Sequence, residues 1–167
     1  MLISRAESAD SYDEITALLH RAYAGLAAQG LNYKAASQSA EDTRRRSAGA
    51  ECYIARVEGR VVGTLLVVGP ERPAPWSKWY DQPGVAMLGQ FGVEPGLHGQ
   101  GIGSRLLSFG EERVFELGAR EVSIDTAVAA TRLVHFYRSR GYREVETVQW
   151  DHASYLSVIM SKARPAG

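Results

Sequence analysis

A single cysteine, Cys52, rules out an internal disulfide framework. Its place in an apolar, strand-like stretch reads as a buried inert thiol rather than a nucleophile. The histidines His20, His98, His135 and His152 lie far apart without ligand spacing, so no metal site is expected. Nineteen basic and nineteen acidic residues cancel, leaving no electrostatic footprint for nucleic acid or anionic lipid. Arg44-Arg45-Arg46 is the only compact basic run and reads as a solvated helix face. No run of about 18 apolar residues could span a bilayer, and Met1 to Asp10 holds no apolar stretch of signal-peptide length. A cytoplasmic protein without nucleic-acid or membrane partners is therefore expected. No repeat, linker or low-complexity run divides the chain, and 45% apolar with 23% charged residues can bury a core, so residues 1–167 read as one domain.

What is present is concentrated between Val93 and Gly103, reading Val-Glu-Pro-Gly-Leu-His-Gly-Gln-Gly-Ile-Gly. An apolar stretch, Val85 to Val93, precedes it and Ser104-Arg-Leu-Leu follows, so alternate glycines Gly99, Gly101 and Gly103 stand where a strand hands over to a helix. The first N–H groups of a helix have no intrahelical partner and lie at the positive end of its dipole, which makes this an anion site. Glycines remove the Cβ atoms that would hold phosphate oxygens away and allow the positive φ of an anion-binding nest. The spacing excludes two better-known loops. The chain has no Gly-Lys pair for a P-loop, and Ser104 stands where a dinucleotide fingerprint starting at Gly99 would need its third glycine.

The segment resembles the acyl-coenzyme A loop of the GNAT superfamily of N-acetyltransferases, Val-x-Pro-x-x-Arg/Gln-Gly-x-Gly-x-Gly/Ala. It departs at His98, which holds the Arg/Gln position and can still donate to a phosphate. A second segment agrees. Val122, Ile124 and Thr126 alternate as in a strand, then Leu133, Phe136, Tyr137 and Arg140 follow at helical spacing, and Gly141-Tyr142 ends the helix. This is similar to the family's second signature, with Ala130 in place of the asparagine that often opens the helix.

The resemblance covers nearly the whole chain. It implies an α/β (α+β) fold with a mixed, mostly antiparallel central sheet, splayed central strands and flanking helices. It implies acetyl-coenzyme A as cosubstrate and no metal, with Phe91, Gly92, Val93, His98, Gly99, Gln100, Gly101, Ile102, Gly103, Ser104 and Tyr137 at the coenzyme. The backbone N–H near Val93 would polarise the thioester and Tyr137 would protonate the thiolate. The acceptor would be a primary amine of a small molecule or peptide, and a homodimer is compatible. A non-catalytic acyl-coenzyme A binding module is the alternative, favoured by His98, Ala130 and the lack of a carboxylate in Val85 to Val93.

Periodicity places a helix after a capping box at Ser11 to Glu14, a second helix within Ser37 to Ser47, and a hairpin of Cys52 to Val57 with Val61 to Val68. An irregular loop from Gly69 to Gly84, a helix from Gly103 to Leu117, and strands over Glu144 to Trp150 and Tyr155 to Met160 complete the pattern. Gly89 and Gly92 are consistent with a bulge that opens the sheet. Asp125, Glu94, Asp151 and His152 are candidate general bases. By the same resemblance the acceptor would enter opposite the coenzyme, between the first helices and the last two strands, which points to Tyr23, Leu31, Asn32, Tyr33, Trp150, His152 and Tyr155. Trp76, Trp79 and Tyr80 either lid that cleft or pin the loop to the body. With so few formal charges in these segments, a modest-sized, partly apolar acceptor with one amine is expected rather than a polycation.

Overall fold

The computed structural model describes residues 1–7, 12–72 and 76–166. The elements run β1 (Leu2–Arg5), α1 (Tyr12–Ala27), α2 (Ala40–Ser47), β2 (Glu51–Val57), β3 (Arg60–Val68), β4 (Val85–Val93), α3 (Ile102–Glu116), β5 (Glu121–Ala127), α4 (Thr131–Arg138), β6 (Arg143–Val148) and β7 (Ser157–Ala163). Short 3₁₀ turns occupy Lys34–Ala36 and Pro95–Leu97. The expected hairpin, central strand and crossover helices are all present. The first strand was not anticipated, because four residues carry no readable period. The capping box at Ser11 lies outside the described residues. Another forms instead at α2, where Ser39 accepts from the Asp42 N–H and the Asp42 carboxylate accepts from the Ser39 N–H.

One seven-stranded sheet has the order β1-β2-β3-β4-β5-β7-β6, antiparallel except for β4 with β5. Its apolar residues face both ways. Leu65, Leu88, Leu106, Leu107, Ile124 and Tyr137 join α3 and α4 to one face, while Ile15, Leu18, Leu19, Ile54 and Leu66 seat α1 on the other. Gly110 explains how closely α3 lies. A Cβ there would stand 2.4 Å from Leu65 Cδ2.

Two irregularities open the middle of the sheet. Leu66 pairs with Gly89 and Thr64 with Gly92, so Leu65 alone faces both Gln90 and Phe91. This is the expected bulge, with its strain carried by Gln90 at φ 43° rather than by glycine. Gly92 serves packing, since a Cβ there would lie 3.2 Å from Ala22 Cβ and 3.3 Å from Leu19 Cδ2 of α1. Before the bulge is reached, β4 has already lost its parallel neighbour. Val85, Ala86 and Met87 pair with Glu121, Val122 and Ser123, and no pairing continues from there. Residues 88–93 and 124–127 therefore form the two arms of a splay.

Candidate active site

Alternation along the arms decides which backbone groups face the gap. The Glu94 N–H donates to Val62 O on the β3 side, and the Val128 N–H to Leu156 O on the β7 side. Successive residues of a strand turn their polar groups to opposite neighbours. Val93 on one arm, and Asp125 and Ala127 on the other, therefore present theirs to the gap. Two tyrosines already occupy part of it. Tyr23 donates to Phe91 O at 3.0 Å, and Tyr33 Oη accepts the Ala127 N–H at 2.8 Å while meeting Thr126 Oγ1 at 2.7 Å. Their rings lie 5.2 Å apart, and Tyr155 is 4.8 Å from Tyr33.

At the mouth of the gap, Gly99 and Gly101 take φ 83° and 78°, and Gly101 caps α3 without any side-chain hydrogen bond. Nothing lies within 4 Å of a Cβ built at either glycine. The first turn of α3 thus begins with no side-chain cap beside two unobstructed glycines, as a diphosphate cradle requires. Gly103 differs. It lies within the helix, and an added Cβ would make ordinary 3.6 Å contacts with Phe91 and Val93. Ile102 is buried, so it offers only its backbone N–H to a ligand. Gln100 is exposed beside these glycines. His98 is exposed too, with Nε2 3.3 Å from Val93 O. Ser104 accepts from Arg140, whose guanidinium packs over Phe136 at 3.6 Å and so brings a positive charge to the same helix end. Arg140 entered the sequence analysis only as part of a helical stripe.

Tyr137 is 3% exposed, with its ring against Phe136 and Tyr142. Among the described residues its hydroxyl has no hydrogen-bond partner. The unpartnered side-chain atoms sealed from solvent are Arg72 Nε, Tyr142 Oη and Ser157 Oγ, so the Tyr137 hydroxyl reaches open space. Burial, reinforced by Tyr23, Tyr33 and Asp125, pushes its pKa well above the ordinary phenol value. The phenol is therefore protonated across the neutral range.

Of the four candidate bases, geometry separates one. Glu94 is held in a two-point ion pair with Arg21, at 3.0 and 2.8 Å to one oxygen, and this hydrogen bonding lowers its pKa. Asp151 and His152 are exposed on the β6–β7 turn. Asp125 instead lies recessed at the splay, accepting from Tyr80 Oη and Trp150 Nε1 at 3.1 Å each. Burial outweighs these bonds and raises its pKa above the ordinary aspartate value. A carboxylate so placed is poised to take a proton.

The aromatic loop resolves in favour of pinning. Tyr80 is 2% exposed and Trp79 donates to Ser123 Oγ at 3.0 Å, so both belong to the body; Trp76 is half exposed. Asn32 is also structural, accepting from Ser154 N–H at 2.8 Å and donating to His152 O at 3.3 Å. The basic run requires a correction. Arg44 and Arg45 are exposed as expected, but Arg46 turns inward and donates to Gln38 Oε1 at 2.5 Å. Gln38 in turn donates to Thr43 Oγ1 and to Gln90 Oε1, at 2.7 Å each. Gln38, Thr43 and Gln90 are buried. Polar residues give no sequence signal that they will be enclosed, so this network was missed.

Among the described residues no helix is long and apolar enough to cross a membrane, and no group of His, Cys, Asp and Glu could hold a metal ion.

Known proteins share this fold and sequence pattern. The chain is 27% identical over 132 residues to S-(2-succino)cysteine N-acetyltransferase of Bacillus subtilis, covering 78% of this chain and 77% of that protein. It is 32% identical over 148 residues to mycothiol acetyltransferase of Propionibacterium freudenreichii, covering 83% of this chain and 42% of the longer relative. The fold superposes with TM-score 0.67 and 16% identity on a GNAT family acetyltransferase of Elizabethkingia anophelis with acetyl-CoA bound, covering 98% of this chain and 97% of the other. Residues 13–142, from α1 through the splay to the aromatic after α4, match the profile of the Acetyltransferase (GNAT) family, and the chain is therefore a member of that family of acetyl-CoA-dependent acyltransferases.

Proposed function

We propose that the protein transfers an acetyl group from acetyl-coenzyme A directly to a primary amine of a small molecule, with Tyr137 as the proton donor to the departing thiolate. The observation that carries this reading is a neutral, unpartnered hydroxyl at a gap whose opposite edge offers the backbone of Val93. The cosubstrate would supply an activated thioester. The glycine loop would hold its diphosphate, with Gly99 to Ser104 contributing backbone N–H groups and Arg140 a nearby charge. The Val93 N–H would face the thioester oxygen and stabilise the charge that develops there. Tyr137 would then release its proton to sulfur, and most of the rate would come from positioning, worth up to about 7–11 kcal/mol in well-aligned cases.

The absence of a carboxylate on β4 does not argue for a binding-only module, because Asp125 offers one from the opposite arm. The name of the Bacillus subtilis relative, which acetylates the nitrogen of a cysteine derivative, is in keeping with a small-molecule amine. Thiol release from acetyl-coenzyme A in the presence of an amine panel tests the reading. Amine-dependent release is expected. Calorimetric binding of the coenzyme without release for any amine would overturn it in favour of a sensor module.

A further inference from the structure

Arg46 on α2 is tied through Gln38 to Gln90 of the β4 arm, and Asp125 lies on the β5 arm of the splay. Each lies within the electrostatic reach of the other, yet no ion pair joins them. Arg46 is only partly exposed, and among the described residues its one hydrogen bond is the donation to Gln38; its other N–H donors have no protein partner. Tyr23 and Tyr33 bridge the two arms, Tyr23 donating to Phe91 O on β4 and Tyr33 bonding Thr126 and Ala127 beside Asp125 on β5, with the Tyr155 ring 4.8 Å from that of Tyr33. Opposite charges withdrawn from water are costly unless paired and hydrogen-bonded. Each is hydrogen-bonded to neutral partners but has no counter-ion, so a site that holds both is complementary to a ligand carrying the reverse arrangement.

We infer that the acceptor is a zwitterion of the α-amino-acid type, whose carboxylate seats on Arg46 and whose ammonium faces Asp125. This rests on the direct-transfer reading above and narrows its substrate class. It also gives Asp125 a place in the reaction. The ammonium passes one proton to Asp125, which frees the nitrogen lone pair. The C–N bond forms as the C–S bond breaks, sulfur takes the Tyr137 proton, and the phenolate regains a proton from the acylated nitrogen. One proton is released overall when Asp125 ionises again. The groups facing Asp125 are Tyr80, Trp150, Arg46 and His152, with Tyr23, Tyr33, Tyr137 and Tyr155 around the gap.

The test uses matched triads built on phenylalanine, methionine and leucine: the free amino acid, its amide, and the amine lacking the carboxyl group. Thiol release should favour the free acid in kcat/KM by about 10- to 100-fold, the worth of one hydrogen-bonded charge. Arg46→Gln should bring that ratio close to one, mainly through KM, and Arg46→Lys should restore part of it. Both variants should retain coenzyme affinity, which verifies that they fold. Turnover of amides and amines equal to or faster than free acids in the native enzyme overturns the inference while leaving direct transfer intact. Should no amine release thiol, direct transfer falls by itself, and titration of the coenzyme A complex still decides the acceptor class. Free acids binding at least tenfold more tightly than their amides then support the Arg46 seat, and equal or absent binding removes it.

Discussion

At one end of β4, Val85, Ala86 and Met87 pair with β5, and Val85, Ala86 and Val122 are almost wholly buried there. At the other end the same two strands part, and the polar groups they no longer give each other are met by tyrosine hydroxyls or left facing the gap. The closed end carries small and β-branched side chains without a special backbone. The open end carries a bulge with Gln90 at φ 43° and Gly92 pressed against α1. Closure thus follows from ordinary strand chemistry, while the open end depends on tertiary partners, Tyr23 of α1 bonding Phe91 O and Tyr33 bonding the Ala127 N–H. Substitutions at the two ends should accordingly be felt in different measurements.

The largest effect is expected at the open end. Tyr137→Phe keeps the ring and removes a hydroxyl that has no protein partner, so kcat should fall by about 10²–10⁴ while the melting temperature barely moves. A lower melting temperature at normal kcat would assign the hydroxyl to structure and weaken the contrast between the ends. Gly101→Val comes next. The new side chain meets an L-residue penalty of about 1–2 kcal/mol at positive φ and projects into the cradle, so coenzyme affinity should drop by at least about tenfold in calorimetry. Unchanged affinity would sink the cradle.

Val122→Ala probes the closed end. Losing two buried methyl groups should lower stability by about 2 kcal/mol in denaturant unfolding, with kcat unchanged. A loss of activity without a loss of stability would show that the two ends are coupled.

Smaller pH effects, arising from pKa shifts of opposite direction, separate Asp125 from Glu51. Asp125 works only when ionised and its pKa is raised by burial, so kcat/KM should increase with pH through a midpoint above the ordinary aspartate value. Asp125→Asn should remove that limb. Glu51, far from the gap, is bound by Arg113 at 2.7 and 2.9 Å, and these bonds hold its pKa at about 2. Its contribution to stability is complete above the ordinary glutamate pKa and is lost progressively as pH falls from there to about 2, so Glu51→Gln should flatten this part of the acid-unfolding curve without altering the rate profile.

The glycine loop and the helix bearing Tyr137 were legible because each depends on local chemistry, alternate glycines in one case and a helical stripe ended by Gly141 in the other, whereas the splay was expected only from the family resemblance. What escaped depended on distant packing. The strand Leu2–Arg5 exists because β2 offers it an edge. The boundaries of β6 and β7 moved because the turn between them is held by Asn32 as well as by Gln149, whose amide donates to Ala153 O and Tyr155 O. Arg46 looked solvated beside Arg44 and Arg45, and only the docking of α2 on α1, with Thr16 Oγ1 2.6 Å from Thr43 Oγ1, turns it toward the site.

Gln38 gives this corner a consequence for how the enzyme can change. Its amide nitrogen serves Thr43 and Gln90 while its oxygen receives Arg46, so a flipped amide would set donor against donor at Arg46 and acceptor against acceptor at Gln90. The bulge in β4 and the cation at the acceptor mouth are therefore oriented by one rigid group. Retargeting the enzyme by replacing Arg46 alone leaves that amide aimed at a lost partner, and replacing Gln90 alone loosens the cation. Successful variants should carry compensating changes at positions 38, 46 and 90 together, so a library that randomises these three jointly will recover new acceptors that serial single substitutions pass over.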